Sequence, residues 1–252
     1  MKYGLKLWST DKKELFEEAV LLFSKKEIDF LELYIVPDSL KESSVLNILK
    51  DISTTIHAPH AEHGFDVFTL DDSKVEMFEN QVIKTADFLN SKFIVVHAAL
   101  GDSQEAFERN IKKINDPRIL VENMTKIGLE DEICFAHSYL QLKLIKDSGF
   151  NFCFDFSHAI KSARAQNLDY KEFVEKLIAK LEPSYFHICN GALNIFKDEH
   201  KNLFDGEFDL KWIKSLLLKL AEKKDIYLVS ETPKGEKGLE NDMKNINYFR
   251  SL

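Results

Sequence analysis

Eight short runs of strand-forming residues, separated by longer segments whose apolar residues recur every three or four positions, limit what this chain can fold into. The runs are 2–9 (KYGLKLWS), 28–36 (IDFLELYIV), 53–58 (STTIHA), 92–98 (KFIVVHA), 118–123 (RILVEN), 151–156 (NFCFDF), 184–189 (SYFHIC) and 225–231 (DIYLVSE). Helix-like segments between them include 13–26, 44–52, 75–90, 139–147, 170–181 and 210–224, with a last helix near 239–250. Strand and helix alternating eight times is the signature of a (β/α)8 TIM barrel. The chain has 252 residues, an ordinary length for one such barrel, so a single domain spanning 1–252 is expected.

Acidic and histidine side chains collect where these runs end. His57, His97, Glu122, Asp155, His187 and Glu231 lie at the C-terminal ends of runs 3 to 8, and His158, Asp198 and His200 follow in the next segments. Side chains alternate across a strand, so the six strand-end residues share a face with Thr55, Val95, Leu120, Cys153, Tyr185 and Val229. In a barrel that face points inward, and its C-terminal end opens onto the mouth where barrel active sites lie. The opposite register would turn His97, Glu122 and Asp155 towards the helix layer and bury unpaired charge, at several kcal/mol per ion. A single strand-end glutamate is ordinarily a cap or salt-bridge partner. Six donors converging on one mouth are the nitrogen and oxygen set that divalent zinc, manganese or magnesium accepts.

Other features narrow the function classes. The formal net charge of −8 argues mildly against a broad nucleic-acid surface. No phosphate-cradling glycine loop is present, so a nucleotide cofactor has no support. Cys134, Cys153 and Cys189 share no CxxC spacing, which predicts free thiols and fits a reducing cytosol. The N-terminal residues lack the apolar stretch of a signal peptide, and no window reaches the length of a membrane span, so a soluble, cytoplasmic protein is expected. Phe150, Phe152, Phe154 and Phe156 alternate with Asn151, Cys153 and Asp155, which turns the phenylalanines outward against helices. His60 and His63 follow run 3 and are expected as solvated loop residues, with His60 also a candidate for substrate contact. His137 is assigned no role. Trp8, Phe65 and Phe68 are read as loop anchors or, failing that, as an aromatic lid.

Taken together, IHAPH at 56–60, VVHA at 95–98, VEN at 121–123, FDFSHA at 154–159, HICN at 187–190, DEHKNLFDGEFDL at 198–210 and SETP at 230–233 resemble the xylose-isomerase-like TIM barrels. That superfamily includes the AP endonucleases of family 2, with endonuclease IV, and sugar isomerases and epimerases. For its isomerases the resemblance implies one divalent metal held by Glu122, Asp155, His187 and Glu231. The two glutamates would also flank the substrate carbon as acid and base, with His158 holding substrate. For its endonuclease branch the resemblance implies a trinuclear zinc site on His57, His97, Glu122, Asp155, His158, His187, Asp198, His200 and Glu231, acting on phosphodiesters. The chain departs from that branch at His60, where a tyrosine is usual, and in YIVPDSL, which is too short for the DNA-inserting loop.

The reading that follows is a metal-dependent isomerase or epimerase of a small polyhydroxylated substrate, a sugar or hydroxy-keto acid. It would carry one to three divalent ions (zinc, manganese or magnesium) and move a proton next to a carbonyl through an enediolate. The alternative is a zinc phosphodiester hydrolase, the one reading that brings nucleic acid in as a partner.

Overall fold

In the computed structural model, which describes all residues except 41–43, 99 and 102, eight parallel strands close into a barrel in sequence order. The strands are β1 Lys2–Trp8, β2 Phe30–Tyr34, β3 Thr54–His57, β4 Ile94–His97, β5 Ile119–Glu122, β6 Asn151–Asp155, β7 Tyr185–Ile188 and β8 Tyr227–Ser230. Each lies within one of the runs read from the sequence, trimmed by up to two residues at either end. The trimming puts Glu231 just after β8 rather than on it.

The helices are α1 Lys13–Ser24, α2 Val45–Leu49, α3 Asp72–Met77, α4 Lys84–Phe88, α5 Gln104–Ile111, α6 Tyr139–Asp147, α7 Phe156–Ala165, α8 Tyr170–Leu181, α9 Leu210–Ala221 and α10 Glu240–Ser251. A π-helical stretch, Phe78–Ile83, joins α3 to α4, so the long periodic segment 75–90 is one helical arm with a locally wider winding. Two helices, α5 and α7, fall outside the periodic segments named from the sequence. Helix α7 is buried along nearly its whole length, so it lacks the polar stripe that marks a surface helix.

Strand parity came out as the sequence required. Phe30, Val95, Leu120, Cys153, Tyr185, Tyr227 and Val229 form a closed apolar layer across the barrel interior, one step below the strand ends. Outside the strands, Phe152, Phe154 and Phe156 join the larger core under the helices, and Phe156 stacks on Phe186 at 5.6 Å. Gly4 shows how tightly the inner layer is filled. It pairs with Phe30 in register, and a Cβ there would lie 2.6 Å from the Phe30 ring, so the ring can cross the barrel only beside a glycine.

The three cysteines are free and buried. Among the described residues, no helix is long and apolar enough to cross a membrane.

Candidate metal centre

The strand register brings the donors together in pairs. His97 lies beside Glu122, Asp155 beside His187, Tyr34 beside His57, and Lys6 beside Glu32. All face the C-terminal mouth, immediately above the apolar layer. Four groups of potential ligand atoms result among the described residues, and two of them share Glu122 at the mouth: His57, His97 and Glu122, and Glu122, Asp155, His187 and Glu231. Within each group these atoms all lie within 4.8 Å of one another.

Glu122 belongs to both groups, and its two oxygens divide between them. Oε2 faces Nε2 of His57 at 3.3 Å and Nε2 of His97 at 3.2 Å. Oε1 faces Nδ1 of His187 at 3.1 Å and Nδ1 of His158 at 3.5 Å. The carboxylate is buried beneath these imidazoles and does not line the cavity above it.

A third limb comes from elements beyond the strands. Asp155 caps α7, its Oδ1 accepting the backbone N–H of His158 at 2.6 Å, and this sets the helix so that His158 enters the cluster. Asn123 ties the same corner: its side chain bonds both the N–H and the carbonyl of Asp155, and its own carbonyl accepts from His158 Nδ1 at 2.8 Å. Asp198 then lies between two imidazoles, with Oδ1 3.5 Å from His158 Nε2 and Oδ2 2.8 Å from His200 Nε2. The loop carrying Asp198 and His200 is closed by an antiparallel bridge between Asn190 and Lys201. It is pinned to α7 by Lys161, whose buried ammonium donates to Glu199 at 2.9 Å.

The donor set fits a cation on the evidence of its own hydrogen bonds. Nδ1 of His57 is 2.7 Å from the Ala58 carbonyl, which can only accept, so that nitrogen carries the proton. Nε2 then presents a lone pair to Glu122, and two acceptors face each other across 3.3 Å. His158 shares only the first half of that pattern: Nδ1 donates to Asn123, but Nε2 lies 3.5 Å from Asp198. Although burial opposes it, the carboxylates of Asp155 and Asp198 raise the His158 pKa well above the ordinary value. Oδ2 of Asp155 is buried without a hydrogen-bond partner. Burial, reinforced by the charges of Glu122 and Glu231 against the pull of His158, raises the Asp155 carboxyl to about 6. An imidazole held by a backbone carbonyl with its second nitrogen free, as at His57, beside an orphaned carboxylate oxygen, is what a divalent ion completes.

Two residues absent from the sequence reading complete the floor. Glu32, in the middle of β2, is fully buried and accepts from the Tyr185 hydroxyl at 2.7 Å, with Nε2 of His187 at 2.9 Å. Lys6, in the middle of β1, reaches Glu231 at 2.5 Å and Glu32 at 3.3 Å. Parity carried the signal for both. Gly4, Lys6 and Trp8 share one face of β1, as Phe30, Glu32 and Tyr34 share one face of β2, and a charge in mid-strand on the interior face demands a partner.

Above the donors is a cavity of about 310 Å³, lined by Lys6, Trp8, Tyr34, His60, His97, His158, Asp198, His200 and Glu231 among others. His60 is not a solvated loop residue, as the sequence reading expected. It is half-buried, stacked on His97 with ring centroids 5.3 Å apart and in ring contact with Tyr34, and burial holds its imidazole neutral, with a pKa pushed down to about 2. His63 is likewise engaged, its Nδ1 2.7 Å from the Tyr34 hydroxyl. Trp8 tilts against Tyr34 at 4.6 Å and forms an aromatic wall, whereas Phe65 stacks on Phe78 and Phe68 packs on Phe107 and Phe135 as loop anchors.

No family model and no curated protein matches the chain. Solved structures do. A structure described as AsfvAP:AG aligns with a TM-score of 0.69 at 13% identity, covering 99% of this chain and 98% of the other. The apo form of the 3-keto-D-glucoside 4-epimerase YcjR from E. coli aligns over the full length of both chains with a TM-score of 0.65, also at 13% identity. A putative xylose isomerase from Rhodospirillum rubrum gives a TM-score of 0.70 at 12% identity, covering 100% of this chain and 98% of that one. At such identities the likeness is one of fold: the chain is built as a (β/α)8 TIM barrel, as its alternating pattern predicts.

Proposed function

We propose that the chain is a divalent-metal-dependent isomerase or epimerase of a small polyhydroxylated carbonyl compound, a sugar or hydroxy-keto acid. The observation that carries the reading is the position of Glu231: an ionised carboxylate on the wall of a cavity of about 310 Å³, beside the donors Asp155 and His187. Burial works to raise the Glu231 pKa, but the charges of His187 and Lys6 outweigh it and hold the group at about 2. It is therefore ionised throughout the neutral range, the state in which a carboxylate can accept a proton.

Glu122, Asp155, His187 and Glu231 would hold one ion and His57, His97 and Glu122 a second, the metal supplying Lewis-acid stabilisation of negative charge on substrate oxygens. Against the aromatic wall of Trp8 and Tyr34, a substrate would present its C–H to Glu231. That carboxylate would take the proton from the carbon next to the carbonyl, the C–H pair forming the C=C bond as the carbonyl π pair moves onto oxygen to give an enediolate. The proton then returns to the former carbonyl carbon while the hydroxyl proton passes from one substrate oxygen to the other. His158 and His60 line the same cavity and would bond substrate hydroxyls. Glu122, expected from the resemblance to pair with Glu231 as acid and base, lies behind the imidazoles and is assigned here to the ligand shell. Of the two glutamates only Glu231 lines the cavity, which favours proton transfer by one base between adjacent carbons over an epimerisation that uses both.

The sugar epimerases among the structural neighbours, including L-ribulose 3-epimerase and D-psicose 3-epimerase, support the substrate class at the level of fold. Phosphoester hydrolysis is the second reading, favoured by the division of Glu122 between two groups and by the Asp198–His200 limb, which together supply donors for several ions. Incubation with aldoses, ketoses and hydroxy-keto acids in D2O tests the choice. Deuterium appearing at the carbon next to the carbonyl, lost in Glu231→Gln, is expected. No exchange with any of them, together with cleavage of phosphate esters, would move the assignment to the hydrolase.

A further inference from the structure

A third set of donors lies on the β1–β2 side of the centre: Glu32, His57, His187 and Glu231 offer ligand atoms within 4.8 Å of one another, all buried. By composition, two carboxylates and two imidazoles, it is as good a zinc site as its neighbours. It differs from them in one respect. The ammonium of Lys6 stands 2.5 Å from Oε1 of Glu231 and 3.3 Å from Oε1 of Glu32. The Lys6 side chain is only 14% exposed, and its Nζ lies 5.5 Å from the centre of the Tyr34 ring, which adds a cation–π contact to the two ion pairs. Two adjacent buried carboxylates require a positive charge, and here the chain supplies it covalently.

We propose that Lys6 is a resident cation of the centre: its ammonium takes the place of a further metal ion between Glu32 and Glu231. By engaging Oε1, it leaves Glu231 a single oxygen for the ion shared with Glu122, Asp155 and His187. The inference deepens the metal-dependent reading above and rests on it. It assigns Lys6 a positioning role: a hydrogen bond to Oε1 leaves that oxygen a second lone pair to receive a proton, which coordination of the metal through both oxygens would not. It assigns Glu32 to the support of Lys6 and His187 rather than to metal ligation. Lys6 also lines the cavity, where its ammonium is within reach of a bound substrate's oxygens.

The test is metal content by mass spectrometry, with the visible spectrum of the Co(II)-loaded protein as a second readout, in the full-length wild type and in Lys6→Met, Lys6→Arg and Lys6→Met/Glu32→Gln. Lys6→Met is expected to bind one equivalent more than wild type and to show weaker d–d absorption per cobalt, as Glu231 coordinates through both oxygens. Lys6→Arg should keep the wild-type count, and the double variant should lose the added equivalent. A Lys6→Met protein with wild-type count and spectrum would overturn the inference while leaving the metal-dependent reading intact. Wild type that binds no divalent ion would overturn both. Should Lys6→Met not fold, anomalous scattering from zinc-soaked wild-type crystals gives the answer: density between Glu32 and Glu231 contradicts the inference, and its absence beside occupied neighbouring groups supports it.

Discussion

Two adjacent layers of the same barrel are built to opposite rules. The lower one, Phe30, Val95, Leu120, Cys153, Tyr185, Tyr227 and Val229, is apolar and filled to the point that Gly4 can carry no side chain. One step up the same strands, Glu32, Glu122, Asp155 and Glu231 crowd against His57 and His187, with Lys6, among the described residues, as the only ammonium ion-paired to them, and Oδ2 of Asp155 has no hydrogen-bond partner. The lower layer contributes stability through burial and close packing. The upper layer costs stability unless cations complete it, and such a cost is tolerated where it builds a site. The difference is a ground, independent of any relative, for proposing the functional site at the upper layer.

Breaking the lower layer has the largest effect. Phe30→Ala leaves a cavity in the barrel centre and is expected to cost about 3–5 kcal/mol, read as a loss of thermal or denaturant stability in both metal-free and metal-loaded protein. Gly4→Ala, which drives a methyl into the same ring, should cost about 1–3 kcal/mol.

Substitutions in the upper layer should separate metal binding from folding. Glu122→Gln is expected to reduce occupancy of both adjoining groups at once, because its carboxylate is shared between them. Asp155→Asn should melt higher than metal-free wild type. The folded pKa of Asp155, about 6, stands above its ordinary 3.8, so its favourable contribution is fully present below about pH 4 and is lost as pH rises through 6. At neutral pH the ionised group therefore destabilises the metal-free fold, and the gain from Asn should shrink in acid. A metal-free Asp155→Asn protein less stable than wild type at pH 7 would remove the argument that this layer is incomplete without an ion.

The smallest effect is expected at the periphery. Lys161→Met unpins Glu199 and should loosen only the Asp198–His200 limb, lowering occupancy or affinity there with little change at the Glu122 groups.

How much of this was legible in the sequence follows from which physical signals are local. The strand runs and the inward parity of His57, His97, Glu122, Asp155 and His187 depend on period-two alternation, which local sequence carries directly. The environment of His60 was not legible: its stacking on His97 and contact with Tyr34 arise from packing between loop and strands far apart in the chain. Lys6 and Glu32 carried a signal that attention to strand ends passed over. Both lie mid-strand, and only the closing of β1 against β2 and β8 shows that their charges compensate one another and Glu231. The placement of Asp198 and His200 depends on a loop held by Asn190, Lys201 and Lys161, contacts that no periodicity encodes.

The most direct test of the central claim, that Glu122 joins two cation sites under a small-molecule cavity, is the number of metal equivalents retained by wild type, His97→Ala and Glu122→Gln purified without chelator. Two or more equivalents in wild type are expected, with one lost in His97→Ala and two lost together in Glu122→Gln. A single equivalent in wild type that survives His97→Ala would contradict it.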